Sequence, residues 1–209
     1  PKKLRVVWRV CPDPRGKHSL AIKSGMSRRH VTLAYMSEVL EMLEMPEVPD
    51  MLEVLEMLRE LADEYKTAES PFLISGCIGP RGDGYVVDKL MSVDEARRYH
   101  ARQVEVFADA GADMVTGLTM TNVEEATGIA LAAIETGIPP VISFTVETDG
   151  HLPSGMPLGD AIQAVDAATG NGPAYYMINC AHPTHFAQVL EAGGDWVKRI
   201  GGIRANAST

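Results

Sequence analysis

Apolar and polar positions alternate in two regimes along this chain. From Ser70 onward, short apolar runs are separated by longer amphipathic stretches. Phe72-Leu-Ile-Ser-Gly76, Asp113 to Met120, Val141 to Val146 and Ala174 to Asn179 read as strands, and Ile203-Arg-Ala-Asn206 begins a fifth. Near-continuous apolar runs of this length suit parallel strands covered on both faces. The stretches between them predict helices over Ser92 to Ala110, Asn122 to Glu135, Leu158 to Ala168 and Thr184 to Ala192. Ser92 with Glu95 three residues on is a capping box, Asn122 is an N-cap, and Gly137 and Gly193-Gly194 are stops. Asp149-Gly150 is a turn. Strands alternating with helices imply βαβ units, right-handed crossovers and a parallel sheet. Five such strands fit an open sheet or part of an eight-stranded barrel equally well.

Upstream the rhythm differs. Leu4 to Val10 reads as a strand, closed by the turn-rich Cys11-Pro-Asp-Pro-Arg-Gly16. From Val31 to Glu64 the pattern is helical, and Glu38-Val-Leu-Glu-Met-Leu43 recurs as Glu53-Val-Leu-Glu-Met-Leu58. Pro46, Pro49 and Asp50 lie between the copies, which predicts two amphipathic helices with a break. Five of the eleven methionines fall in this zone, and the reading is core or an oligomer contact.

Composition narrows the class. At 209 residues, 45% hydrophobic, the chain suits one sizeable core. No apolar run approaches the roughly 18 residues a bilayer requires, and no signal-peptide core stands near the start. Three cysteines, Cys11, Cys77 and Cys180, form no CxxC pair, which favours a reducing cytoplasm. The net charge of −9 is uneven: residues 1–30 hold nine Lys/Arg against the single Asp13, and the remainder holds ten against 27 acidic residues. An acidic body argues against nucleic acid as a partner. The basic arm reads as a solvated terminus, a targeting peptide or a contact for anionic polymers. The chain opens on Pro1 and stops at Ala207-Ser208-Thr209, and we expect both ends to be cut from a longer reading frame.

The chemistry concentrates in one stretch. Ala174-Tyr-Tyr-Met-Ile-Asn179 is a strand that ends on Cys180, His182 and His185. In α/β folds, reactive groups gather at the carboxyl ends of strands. Cys180 is therefore a candidate thiolate, with a buried structural cysteine as the alternative. Cys180-x-His182-x-x-His185 could form a local metal site, but the better reading has His182 capping a turn before Pro183 and His185 in the helix's first turn. Cys77 either packs or lines the same mouth. Glu147 and Asp149 could work as acid and base or simply face solvent. His100, on an apolar-periodic helix, reads as structural. No GxGxxG opens a helix after the first strand, and Gly79-Pro-Arg-Gly-Asp-Gly84 lacks the Gly-Lys-Ser/Thr ending of a P-loop.

The sequence resembles the homocysteine S-methyltransferase family. The marks run from about Leu58 to Thr209: Ile74-Ser-Gly-Cys-Ile-Gly-Pro80 with Gly82-Asp-Gly-Tyr85, Tyr99-His100 and Gln103, Asn122-Val-Glu-Glu-Ala126, Ile142-Ser-Phe-Thr145 with Asp149-Gly150 and Gly155, Ile178-Asn-Cys180 with His182-Pro183, and Arg204-Ala-Asn-Ala207. The resemblance implies an α/β fold of the (β/α)8 TIM-barrel type, incomplete, with about strands three to seven present. It implies a cytoplasmic methyltransferase of methionine biosynthesis that moves a methyl group to the thiol of homocysteine or a related thiol. Zinc is the implied cofactor. In the family it is bound by three cysteine thiolates and holds the acceptor as a thiolate, the nucleophilic form.

Cys180 matches one zinc ligand, and the other two form an adjacent pair after the last strand. Asn206 matches an asparagine near the metal, and with Asn179 and Thr119 it is assigned to substrate binding. S-methylmethionine-, S-adenosylmethionine-, betaine- and methylfolate-dependent relatives share the domain, so the implied donor is one of these four.

The chain departs from the pattern in three places: it lacks the cysteine pair, it lacks the Asp-Gly-Gly opening of strand one, and Leu118 stands where many members carry a glutamate. We expect residues 58–209 to be a partial homocysteine-binding barrel domain and residues 1–57 an atypical segment. The piece itself is expected to be incomplete and inactive, with a Gly-Gly-Cys-Cys stretch encoded past Thr209. Open sheet edges predict oligomers, a homo-oligomer among them, or poor solubility, and no membrane partner is expected. Two alternatives stand beside this reading: a barrel enzyme of another reaction using strand-end carboxylates, and a non-catalytic interaction fragment.

Overall fold

The computed structural model describes residues 29–32, 51–67, 72–85, 87 and 89–207. In chain order the elements are β1 (Arg29–Thr32), α1 (Met51–Tyr65), β2 (Phe72–Ile78), α2 (Val93–Asp109), β3 (Met114–Met120), α3 (Val123–Thr136), β4 (Pro140–Phe144), α4 (Leu158–Thr169), β5 (Tyr176–Asn179), α5 (Pro183–Ala192), a 3-10 turn (Asp195–Arg199) and β6 (Ile200–Arg204). All strand pairs are parallel, and the sheet order is β1-β2-β3-β4-β5-β6. That order never reverses, which excludes the switch point of a doubly wound sheet. With crossovers of the usual right hand, the helices fall on one face and the sheet curls around the other. This is the geometry of an incomplete (β/α)8 barrel.

Local chemistry accounts for the boundaries. Ser92 and Glu95 form the expected capping box on α2, and Asn122 accepts from the Glu125 amide at the start of α3. Gly137 closes α3 at φ 78°, a conformation glycine adopts without a Cβ penalty. The core lies between the sheet and the helices, with Ile78, Val104, Val115, Ile129, Ile142, Phe144, Ile162, Tyr176 and Ile178 among its members.

Several boundaries and elements differ from expectation. The helical reading that began at Val31 is overturned there, because Arg29–Thr32 is a strand paired with Phe72 to Ser75. The five strands expected from Ser70 onward are all present as β2 to β6, and β1 adds a sixth among the described residues. The second Met-rich helix is present as α1, and its Leu55 and Leu58 join the core. The predicted strand Leu4 to Val10 and the first Met-rich helix lie outside the described residues. β2 runs on to Ile78, so Cys77 sits inside it, and β6 begins at Ile200, not Ile203.

Two helices approach closely at Gly128. A Cβ there would lie 2.5 Å from the Ala96 Cβ and 2.6 Å from the Arg97 backbone nitrogen. Backbone cannot yield as a flexible side chain can. Gly128→Ala is expected to cost about 1–3 kcal/mol by overpacking, measured as a lowered urea midpoint. An unchanged midpoint would mean that α2 and α3 do not pack at this distance.

Candidate active site at the strand ends

At the carboxyl ends of β3, β4 and β5, one asparagine makes three hydrogen bonds to two neighbours. Asn179 is 1% exposed. Its Oδ1 accepts from the Thr119 backbone N–H at 3.0 Å and from the Ser143 hydroxyl, and its Nδ2 donates to Thr119 Oγ1 at 2.7 Å. The amide's acceptor and one of its donors are thereby occupied, as a buried amide requires. The Thr119 hydroxyl, having accepted from Asn179, directs its own hydrogen toward Cys180 Sγ at 3.9 Å.

Cys180 follows β5 directly, is half-buried, and carries a free thiol. Its N–H donates to the Arg204 carbonyl at 3.1 Å, and the Asn206 N–H donates to the Ala181 carbonyl at 3.0 Å. These two bonds tie the end of β6 to the end of β5. The four residues assigned from sequence thus converge: Asn179, Thr119 and Cys180 through side chains, and Asn206 through its backbone.

Thr119 and Cys180 share another property. Their φ angles are 59° and 55°, in the left-handed region. A β-branched residue there is a genuine outlier, and strain of this kind concentrates at functional sites. The register of β3 against β4 slips between Gly117 and Met120, which accommodates Thr119. Leu118, just before it, is buried and brings no charge to the strand ends.

Cys77 faces the same concave side. Its thiol is pushed up to about 12 by burial, partly offset by the Arg204 guanidinium. Strands β2 and β6 are three strands removed from being neighbours, so that charge reaches Cys77 across the concave face. The packing role read from sequence is therefore incomplete: Cys77 lines the mouth. A thiol with that pKa is almost wholly protonated at pH 8, so it reacts slowly with electrophiles. Iodoacetamide at pH 8 is expected to modify Cys180 at least about tenfold faster than Cys77, read by mass spectrometry of the separate peptides. Equal rates would contradict the burial of Cys77.

The other candidates are occupied elsewhere. His182 is the N-cap of α5, its Nδ1 accepting from the Thr184 N–H at 3.3 Å, and His185 lies in the first turn. Among the described residues no three His, Cys, Asp or Glu are placed to hold a metal ion. Glu147 and Asp149 are exposed, and Asp149 is held below the usual carboxylate range by the His151 N–H. His100 is fully buried on its helix.

The partner of His100 was missed. Glu125 Oε1 accepts at 2.9 Å from the His100 ring and at 2.6 Å from the Arg81 N–H. Arg81 opens the β2–α2 loop, whose Gly84 approaches so closely that a Cβ there would lie 2.9 Å from Thr119 Cγ2. Glu125 stands within the Asn122-Val-Glu-Glu-Ala126 mark of the family resemblance, but nothing in that stretch shows it buried beside His100.

Comparison with known proteins agrees with this geometry. The family model for homocysteine S-methyltransferase matches residues 37–208. A curated homocysteine S-methyltransferase from Escherichia coli (strain K12) is 36% identical over 114 residues, which cover 48% of this chain and 36% of that protein. Among solved structures, the metallated form of the homocysteine methyltransferase MmuM from Escherichia coli superposes with a TM-score of 0.59 at 24% identity, over 76% of this chain and 64% of that one. Its apo form gives 0.58 at 23%, over 76% and 66%. The structural likeness is one of fold. The matched region spans about a third of the curated relative and under two thirds of the solved chains.

Proposed function

The chain belongs to the homocysteine S-methyltransferase family, and from that premise we propose that its strand-end site serves methyl transfer to the thiol of homocysteine or a related small thiol. The observation that carries this reading is Cys180. The residue is half-buried at the end of β5, in a strained backbone conformation, with its sulfur beside the hydroxyl of a residue fixed by Asn179. A cysteine kept only for packing needs apolar neighbours alone, whereas this sulfur accepts from a hydroxyl.

We assign Cys180 as a zinc ligand, and Asn179, Thr119 and Asn206 as the groups that position the acceptor. A zinc ion takes four protein ligands, or three with a substrate or water in the open position. The described residues supply one candidate sulfur, Cys180, and no complete set, so they do not fit a zinc site by themselves. The roles assigned to the other residues are independent of the metal. Asn179 fixes Thr119, Thr119 presents its hydroxyl to the sulfur, and the bonds from Cys180 to Arg204 and from Asn206 to Ala181 hold β5 and β6 at the spacing the acceptor meets. The barrel domain is proposed to take in residues 58–209, with β1 and the first half of α1 contributed by the segment before it. The proposed setting is the cytoplasm and methionine biosynthesis.

Metal analysis tests the ligand assignment. The full-length protein is expected to carry zinc, and Cys180→Ala is expected to lose most of it. Equal zinc in both proteins would remove Cys180 from the ligand set and turn attention to a barrel enzyme of another reaction.

A further inference from the structure

Helices α2 and α3 each carry a glutamate as their third residue, and they use it differently. In α2, Glu95 reaches back to its own N-cap, where its carboxylate accepts from the Ser92 N–H at 2.8 Å. In α3, the N-cap Asn122 accepts from the Glu125 N–H, but the Glu125 carboxylate bonds elsewhere. Its Oε1 accepts from the His100 ring at 2.9 Å and from the Arg81 N–H at 2.6 Å. A buried carboxylate is costly unless its lone pairs are filled, and here a residue of a separate loop fills one. The Arg81 guanidinium lies 5.6 Å from the centre of the Tyr99 ring on α2, so this residue is held at backbone and side chain.

Three residues past Arg81, the loop closes on Thr119. A Cβ at Gly84 would lie 2.9 Å from Thr119 Cγ2, which puts the loop backbone against the threonine methyl. On the other side, the Thr119 hydroxyl accepts from the Asn179 amide and points its hydrogen at Cys180 Sγ. Methyl and hydroxyl share one Cβ and turn together about χ1. Thr119 is thus gripped by Gly84 and by Asn179, in a left-handed conformation that only its surroundings maintain.

The structure assigns Glu125 as a positioning residue of the strand-end site: through Arg81 it seats Gly84 on the Thr119 methyl, and so fixes the Thr119 hydroxyl beside Cys180. The bond from His100 holds the carboxylate in place for that role. The kinetic consequence rests on the methyl-transfer reading, and the conformational one does not. Arg81 requires an acceptor oxygen and not a charge, so glutamine serves at this position where alanine fails.

The test compares Glu125→Ala, Glu125→Gln and Gly84→Ala in the full-length protein, under conditions where each is folded. Gly84→Ala presses on Thr119 from the loop and leaves the buried pair intact. One readout is the Thr119 methyl signal in threonine-methyl-labelled protein, identified by its loss in Thr119→Ser. The other is kcat and KM for methyl transfer to a small thiol. Both alanine variants are expected to move the Thr119 signal and to lower kcat about tenfold, with the thiol KM within about twofold of wild type. Glu125→Gln is expected to keep the wild-type signal and to bring kcat back to within about threefold.

A purely structural role would lower the stability of Glu125→Ala and leave the signal and kcat of its folded form where they were, which would overturn the assignment. So would a Thr119 signal unmoved in Gly84→Ala, or a Glu125→Gln protein as impaired as Glu125→Ala. If the wild type methylates no thiol while the signals move as expected, the methyl-transfer reading fails and the positioning of Thr119 by Glu125 stands.

Discussion

Glu125→Ala is expected to destabilise the fold by about 2–6 kcal/mol, because it orphans two hydrogen-bonding groups at about 1–3 kcal/mol each. The carboxylate is 4% exposed and His100 is 1% exposed, so neither group can turn to water once the other is gone. The loss has two parts. The His100 ring is left without its 2.9 Å partner, and the Arg81 N–H is left without its 2.6 Å acceptor. The second part matters for the site, because the loop that Arg81 opens carries Gly84 onto Thr119. Glu125→Gln keeps the shape and an acceptor oxygen, and is expected to cost only about 1–2 kcal/mol. Urea denaturation of both variants decides the matter. An alanine variant within about 1 kcal/mol of wild type would show that the pair is open to solvent or otherwise compensated.

Asn179→Leu is the second large effect, and it acts on function as well as stability. Leucine fills the volume and satisfies nothing. The Thr119 N–H loses its acceptor, Thr119 Oγ1 loses its donor, and the Ser143 hydroxyl, fully buried, loses its partner. Each orphaned buried group costs about 1–3 kcal/mol, so the total is expected on the order of 3 kcal/mol or more. Thr119 sits at φ 59°, a conformation that persists only while its surroundings enforce it. Released from Asn179, it should relax and withdraw its hydroxyl from Cys180. Methyl transfer to a thiol by the full-length protein is therefore expected to fall about a hundredfold, the scale set by small misplacements in a positioned site. A variant that folds with reduced stability yet transfers methyl groups at the wild-type rate would show that the amide is structural only.

These expectations show which parts of the molecule its sequence displays. The βαβ rhythm from Phe72 onward was legible because buried parallel strands and amphipathic helices impose different apolar periods. The caps at Ser92 and Asn122 were legible because side chains that satisfy helix ends are few. β1 was not: Arg29-His-Val-Thr32 has neither an apolar run nor a clean alternation, and only pairing with β2 makes it a strand. The start of β6 was hidden by Gly201 and Gly202, which read as part of a loop. In the fold they admit the Tyr175 ring and the Met177 side chain.

At the site, the residue types were visible and the conformations were not. Nothing in a sequence marks a threonine or a cysteine for the left-handed region, since that conformation is imposed by tertiary contacts. The buried Glu125–His100 pair was equally silent, because a glutamate in the first turn of a helix has an ordinary surface explanation.

The account turns on a reactive thiol position at the end of β5, and methyl transfer measures it most directly. The full-length protein, supplied with zinc and a small thiol and offered S-methylmethionine, S-adenosylmethionine, betaine and methylfolate in turn, is expected to methylate the thiol with one of these donors. Cys180→Ala is expected to reduce that product to the uncatalysed background. Methylation by Cys180→Ala at the wild-type rate, or none by the wild type with any of the four donors, would contradict the account.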